Sequence, residues 1–504
     1  ENNTTILAIA PSPVDEDVIW VGTDDGKLQL TQDKGGKWTD LSSRLPGVNA
    51  GSWIPYIQAS PYEAGTAFVV VNDYRRNDFR PMVFRTTDFG RNWKQIVDED
   101  QVGGFALSIL QDSKEPGLIW LGADDGLYFS IDGGNKWTKY DNGFPSVQVT
   151  DMTIHPREQD LVLSTFGRAF WVLDDIRPFR ELAASQGNVL EKDFAFFETP
   201  DAYLANYRSY EGIRFIASGA FQGDTRPGGA LLTMWVKPDE KTESKDAPKE
   251  KGKKKDDKVK IQVVDAQGDT IRTISRKLEP GMNRFSWGLD HDGVRFPSRR
   301  APRSDDNIPG GRDVLPGAYT IIATYNGQTE TQSVQVHADP RVETDVNALR
   351  RSHATVAAFE KVVKAASDGF QQLQDAGKTI KLVDEALVNA PDSTKKTIAD
   401  LGKALRDSIT ELEKLYMDPV GQKGIQRTAE NLGNTLRTAN RYLSDVDGAP
   451  SQMAELSLDR VQRETREVLA KINDFMTTDF ADYQKKVQMV QYSLFKEYEP
   501  VKME

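Results

Sequence analysis

The sequence predicts a multidomain chain, β first and α after: a partial β-propeller, then a β-sandwich, then a C-terminal helical bundle. Three observations predict this. All nine tryptophans lie before residue 290, while the last 164 residues hold only seven of the 39 glycines. An eight-residue box recurs three times in the first third of the chain. Beyond Asp339-Pro340 the apolar residues fall into long stripes at helical spacing. At 504 residues the length suits about three domains of ~150 residues each. Composition also excludes chemistry. There is no cysteine, so disulfides, thiolate catalysis and Cys-ligated zinc or iron–sulfur sites are ruled out. The four histidines, His155, His291, His337 and His353, stand far apart, which argues against a His-rich metal centre. A net charge of -12 argues against nucleic acid as a partner, and no apolar run reaches the ~18 residues of a membrane-spanning segment.

The box has the form Ser/Thr-x-Asp-x-Gly-x-x-Trp. Its copies are Thr31 to Trp38 (Asp33, Gly35, Trp38), Thr86 to Trp93 (Asp88, Gly90, Trp93) and Ser130 to Trp137 (Asp132, Gly134, Trp137), with Asp-to-Asp steps of 55 and 44. Each follows an apolar run, and Val18-Ile19-Trp20-Val21-Gly22 is nearly repeated as Leu118-Ile119-Trp120-Leu121-Gly122. A fourth, degenerate copy runs from Leu161 to Asp174 without the Gly and Trp of the box. A period of ~40–55 residues with several short strands is that of a propeller blade. In the box, Asp accepts backbone N–H groups of a turn, Gly takes a conformation closed to other residues, and Trp packs between blades. The propeller is assigned to residues 1–180.

Residues 190–340 still read as strands, among them Ala230 to Val236, Val259 to Asp265 and Pro316 to Tyr325, with hairpin turns at Asp265-Ala266-Gln267-Gly268 and Tyr325-Asn326-Gly327. The charged stretch 239–258 between them reads as a solvated loop. Residues 341–504 form the bundle. One stripe runs from Val346 to Leu373 with Gly377 as its stop. Others run from Ile398 to Leu412 behind an Asp392 or Ser393 cap, from Ile425 to Leu443, from Leu458 to Phe475 and from Phe480 to Leu494. These stripes read as core, and the outer face of the bundle as a docking surface or spacer.

No catalytic residue is assigned. Asp24-Asp25 and Asp124-Asp125 precede Gly in strand-to-strand turns, and neighbouring residues of a strand point to opposite faces, so such pairs are turn chemistry rather than the two facing carboxylates a glycosidase needs. The insertion Asn72 to Pro81 carries arginines and a tyrosine but lacks the spacing of a sialidase signature. Its Tyr74, Arg75, Arg76 and Asp78 are candidate binding-loop residues, as are Phe166 and Arg168. No cofactor and no metal are expected.

The boxes and the stretch Phe166-Gly167-Arg168-Ala169-Phe170-Trp171-Val172-Leu173-Asp174-Asp175 resemble BNR/Asp-box β-propeller proteins, in particular the large exported bacterial members of the sortilin-like group, often labelled glycosyl hydrolases. The resemblance implies an immunoglobulin-like fold for the sandwich and export to the periplasm, outer-membrane surface or exterior. It further implies a non-catalytic binding or scaffold role in the cell envelope, within a protein complex there, toward protein, peptide or glycan ligands. The alternative it carries is a glycoside hydrolase whose catalytic carboxylates lie wholly or partly on upstream blades. Such proteins have more blades upstream, so the chain is expected to be a C-terminal half. Blades of an N-terminal half or another chain would complete the ring against residues 1–180, covering open faces near Trp20, Trp120 and Trp171.

Overall fold

A computed structural model describes residues 4–205, 226–238, 258–300, 308–387, 390–419, 430–443, 448–490 and 499–501. The charged stretch up to residue 257, Ile425 and Leu494 lie outside the described residues.

Four antiparallel meanders follow one another. The first is β1 (Ile6–Pro11), β2 (Ile19–Thr23), β3 (Leu28–Thr31) and β4 (Trp38–Asp40). The second is β5 (Trp53–Ala59), β6 (Ala67–Asp73), β7 (Asp78–Thr86) and β8 (Lys94–Gln95). The third is β9 (Ala106–Gln111), β10 (Ile119–Ala123), β11 (Gly126–Ser130) and β12 (Thr138–Tyr140). The fourth has three strands: β13 (Val149–Ile154), β14 (Leu161–Thr165) and β15 (Phe170–Leu173).

Alternation along the second strand of each meander explains how they stack. In β6, Ala67, Val69 and Val71 share a core with Trp20 and Leu30 of the first sheet, while Phe68 and Val70 share one with Ile109 and Leu121 of the third. Trp120 and Leu127 in turn share a core with Met152 and Leu163 of the fourth. A strand buried on both faces reads as a continuous apolar run, which is why Ala67 to Val71 shows no polar alternation. The result is an arc of propeller blades. Close approach requires glycine at Gly122, where an added Cβ would fall 2.4 Å from the Val149 carbonyl oxygen of the next blade.

Trp20 and Trp120 are fully buried, against the expectation that they stand near open faces, because each is covered by an aromatic ring from further along the chain. The apolar residues left in solvent are others. At the leading face they are Ile6, Ile9 and Trp38; at the trailing end they are Phe166, Phe170 and Val172.

After β15 the chain turns at Asp175 (φ 47°) into α1 (Arg177–Ala184). Then comes a sandwich of two sheets. One is β16 (Phe194–Phe196), β18 (Ala230–Val236) and β21 (Gly281–Trp287). The other is β17 (Ala202–Leu204), β25 (Gln328–Ala338), β24 (Gly317–Tyr325), β19 (Lys258–Val264) and β20 (Thr270–Lys277), in that order. The sheets share one core around Trp287, Leu232, Ile261 and Ile321. A two-stranded ribbon of β22 (Asp290–Asp292) and β23 (Gly310–Asp313) reaches toward the helices.

The helices are α2 (Val346–Ala386), α3 (Asp392–Lys414), α4 (Leu432–Leu443), α5 (Gln452–Thr477) and α6 (Asp479–Gln488), built round one core. Gly377 does not stop α2. The stripe continues through the buried Ala376 and Ile380, and a mid-helix glycine costs only ~1 kcal/mol relative to alanine. Asp392 is already helical, with Pro391 before it as the cap position. Among the described residues no helix is long and apolar enough to cross a membrane.

Candidate functional site

The three boxes share one hydrogen-bond pattern. Thr31 Oγ1 donates to Asp33 Oδ1 and accepts from the Gly35 N–H, and Asp33 Oδ1 accepts from the Lys37 N–H at 2.8 Å. Thr86, Asp88, Gly90 and Asn92 repeat this, as do Ser130, Asp132, Gly134 and Lys136. Gly35, Gly90 and Gly134 have φ of 96°, 71° and 91°, the left-handed region that favours glycine. Hydrogen bonds from Asn92, backbone first and then side chain, hold Asp88 down to about 2. These carboxylates close turns. The box tryptophans reach back to the preceding blade: Trp93 meets Trp20 edge-on at 6.0 Å, and Trp137 Nε1 donates to the Ile96 carbonyl at 2.8 Å. Trp38 has no blade before it among the described residues and is 43% exposed. The fourth blade has lost its box tryptophan, and Phe179 of α1 takes the place, 4.9 Å from Trp120 and 5.1 Å from Phe129.

The boxes lie on turns between third and fourth strands. Turns between second and third strands come out at the other end of the blades, together with the blade-to-blade connections. Arg76 Nη1 donates to the Ala50 carbonyl, Gln148 Nε2 to Asp124 Oδ1, and the Phe166 N–H to the Gln148 carbonyl. All six candidate binding residues fall on this end.

The structure sorts them. Arg76 is tied to Asp73 at 2.6 Å and to Ser52, and Asp78 is clasped by Arg80 at 2.7 Å, which holds its carboxyl low. Both close their own hairpin, whose left-handed residue is Asn77 (φ 66°). Tyr74 and Arg75 do more. Tyr74 stacks on Phe105 at 4.5 Å, Phe79 tilts against the same ring at 6.3 Å, and the Arg75 guanidinium lies 3.0 Å over the Trp53 ring. Phe79 and Arg75 are exposed and Trp53 and Tyr74 half-buried. Trp53, Phe79 and Phe105 were not among the sequence candidates. Their only signal is position: Trp53 opens β5 and Phe105 stands just before β9, so both mark where an inner strand enters from this face. Phe166 is 73% exposed on the fourth blade, where the Arg168 carbonyl accepts Trp171 Nε1 at 3.2 Å.

The acidic pairs on the same face are engaged. The Thr5 N–H donates to Asp24, Thr4 and Thr23 hydroxyls to Asp25, Gln148 to Asp124, and Tyr128 and Lys139 to Asp125. Burial raises Asp174, beside Asp160, and also Glu181 and Asp290, but these sit at the sandwich side and not on this face. Among the described residues no group of three His, Asp or Glu side chains is placed to hold a metal.

No family model matches the chain. Among solved structures it is similar to YCF48 bound to D1 peptide, at 17% identity over 34% of this chain and 51% of that one, TM-score 0.26. It is also similar to the GH74 xyloglucanase from Xanthomonas campestris, at 13% identity over 70% and 49%, TM-score 0.27. A third is YCF48 from Cyanidioschyzon merolae, at 16% identity over 34% and 56%, TM-score 0.22. The chain spans about half the length of these structures.

Proposed function

We propose that the chain is a non-catalytic binding or scaffold protein of the bacterial cell envelope, exported and of the sortilin-like BNR/Asp-box kind. Its propeller engages a protein, peptide or glycan through the face that carries Trp53, Tyr74, Arg75, Phe79 and Phe105. The observation that supports this reading is the state of Arg75. Its guanidinium rests on aromatic rings, with no carboxylate at ion-pair distance among the described residues, and the residue is exposed. A flat cation on rings, flanked by an exposed phenylalanine, offers a ligand both a forked donor and apolar contact. The carboxylates of the face, by contrast, are committed to turns. The immunoglobulin-like reading of the sandwich draws support from the shared two-sheet core and from the parallel pairing of β17 with β25.

The test screens the purified chain against a display library of linear peptides and an array of oligosaccharides. Arg75→Ala and Trp53→Ala should each weaken the selected ligand about tenfold or more, ~1.4 kcal/mol, with the circular dichroism unchanged. Lys37→Ala, on the opposite end, should not. Hydrolysis of xyloglucan or another glycan, abolished by a carboxylate substitution on the propeller, would establish the glycosidase alternative instead.

A further inference from the structure

An asparagine or aspartate followed by glycine is the step at which a polypeptide most readily attacks itself, because no side chain shields the glycine nitrogen. The chain has two Asn-Gly steps, Asn142-Gly143 and Asn326-Gly327. The structure separates them. Asn326 and Gly327, with φ of 48° and 83°, are the two-residue tip of the β24–β25 hairpin, closed by the ladder pair of Tyr325 with Gln328. Asn142 and Gly143 lie between β12 and β13 in no regular element, and both are exposed. Among the described residues neither the Asn142 side chain nor the Gly143 N–H has a hydrogen-bond partner. A Cβ added at Gly143 would meet nothing within 4 Å, so the step has room to turn. The Asp-Gly steps are held. The Gly26 N–H donates to the Thr23 carbonyl, Gly133 to Gly117 and Gly293 to Pro309, while Gly126 opens β11 and Gly369 lies inside α2.

We propose that Asn142 is a self-modification site, at which the folded chain deamidates to aspartate and isoaspartate. The Gly143 nitrogen gives its proton to hydroxide and attacks the side-chain carbonyl carbon of Asn142. The new C–N bond closes a succinimide, and the side-chain amide leaves as ammonia. Water then adds to one of the two ring carbonyls and breaks its bond to nitrogen, leaving an aspartyl or an isoaspartyl residue. The isoaspartyl form lengthens the main chain by one carbon just ahead of Phe144, whose ring packs edge-on to Trp171 at 5.3 Å. As a blade-to-blade connection, this segment lies at the end of the propeller that carries Trp53 and Arg75. The product therefore adds a carboxylate there, beside Asp141, whatever that end binds.

The test incubates the full folded chain at pH 8.5 in water enriched in heavy oxygen, returns it to ordinary water and digests it with pepsin at acidic pH. Mass spectrometry then follows both asparagines, and the heavy oxygen marks only conversions made before digestion. Asn142 should convert at least tenfold faster than Asn326, with isoaspartate the larger product. In concentrated urea the two rates should come together, because the hairpin no longer holds Asn326. Gly143→Ala should slow conversion of Asn142 at least tenfold with the circular dichroism unchanged. Conversion of Asn142 no faster than that of Asn326 in the folded chain would overturn the proposal. So would conversion of Asn142 in urea alone, or an unchanged rate in Gly143→Ala.

Discussion

Asp132 gathers three donors on one oxygen: the Ser130 hydroxyl at 2.8 Å and the N–H groups of Asn135 and Lys136 at 3.0 Å. Asp132→Ala leaves those two amides to a half-exposed turn, and should cost about 1–2 kcal/mol in a urea titration read from tryptophan fluorescence. Asp132→Asn keeps an acceptor oxygen and should cost less than half as much; equal losses for both would show that the charge, not the turn, is what matters. This staple was legible because every partner lies within five residues of the aspartate. The cluster of Trp53, Tyr74 and Phe105 was not. Its members come from two blade entrances and a hairpin, and no local pattern announces that Phe105 will stack on a ring so far back in the chain.

Helix α1 shows the same limit at the scale of an element. Eight residues are too few to display a period, so Arg177-Pro178-Phe179-Arg180 reads only as the end of the repeats. In the fold it is a clamp. Phe179 replaces a missing tryptophan, and Arg180 donates through Nε and Nη2 to Asp112, whose side chain is fully buried, and through Nη1 to Gln159. Arg180→Ala strands that carboxylate without its cation, for an expected loss of about 3–5 kcal/mol. Exchange protection should fall first in β13 to β15 and α1. The double variant Arg180→Ala, Asp112→Ala should recover a large part of the loss, and no recovery would mean that the ion pair is not what holds the clamp. Arg284 of the sandwich, donating to the carbonyls of Asp174 and Asp175, fixes the far side of the same turn.

The order of the whole molecule, β then α, was visible in where glycine and tryptophan stop, because bulk composition follows architecture even where individual boundaries such as Gly377 do not. How the sandwich meets the bundle was not visible. There His291 and His353 face each other with Nε2 atoms 3.2 Å apart, and Arg312 donates to His353 Nε2 at 3.0 Å while pairing with Glu360. His353, Arg312 and Glu360 border a cavity of about 1230 Å³ lined also by Phe359 and Gly311. Burial, then Arg312 and His353, push His291 down to about 4; burial and Arg312 lower His353. Both are neutral in the folded chain at neutral pH, so the unfolded chain binds the extra protons as pH falls below ~6.5. Stability should therefore be full above that value and decline by about 1–2 kcal/mol toward pH 4.5, allowing for their partial exposure. The carboxylates held near 2, such as Asp88 and Asp339, respond only at lower pH. Urea midpoints at pH 7.5 and 5.0 should differ in the parent and differ less in His291→Gln, with the remainder carried by His353; an unchanged difference would place the dependence elsewhere.

Helix α2 touches the sandwich ribbon through Glu360 and then runs on to Ala386. At ~1.5 Å per residue that remaining stretch is a rod of ~40 Å, stiffened along its length by the helices packed on it. It sets a stand-off: whatever grips the far end of the bundle is kept roughly that far from the sandwich. Because the chain has no cysteine, two introduced thiols would serve as the points of a calliper for measuring it.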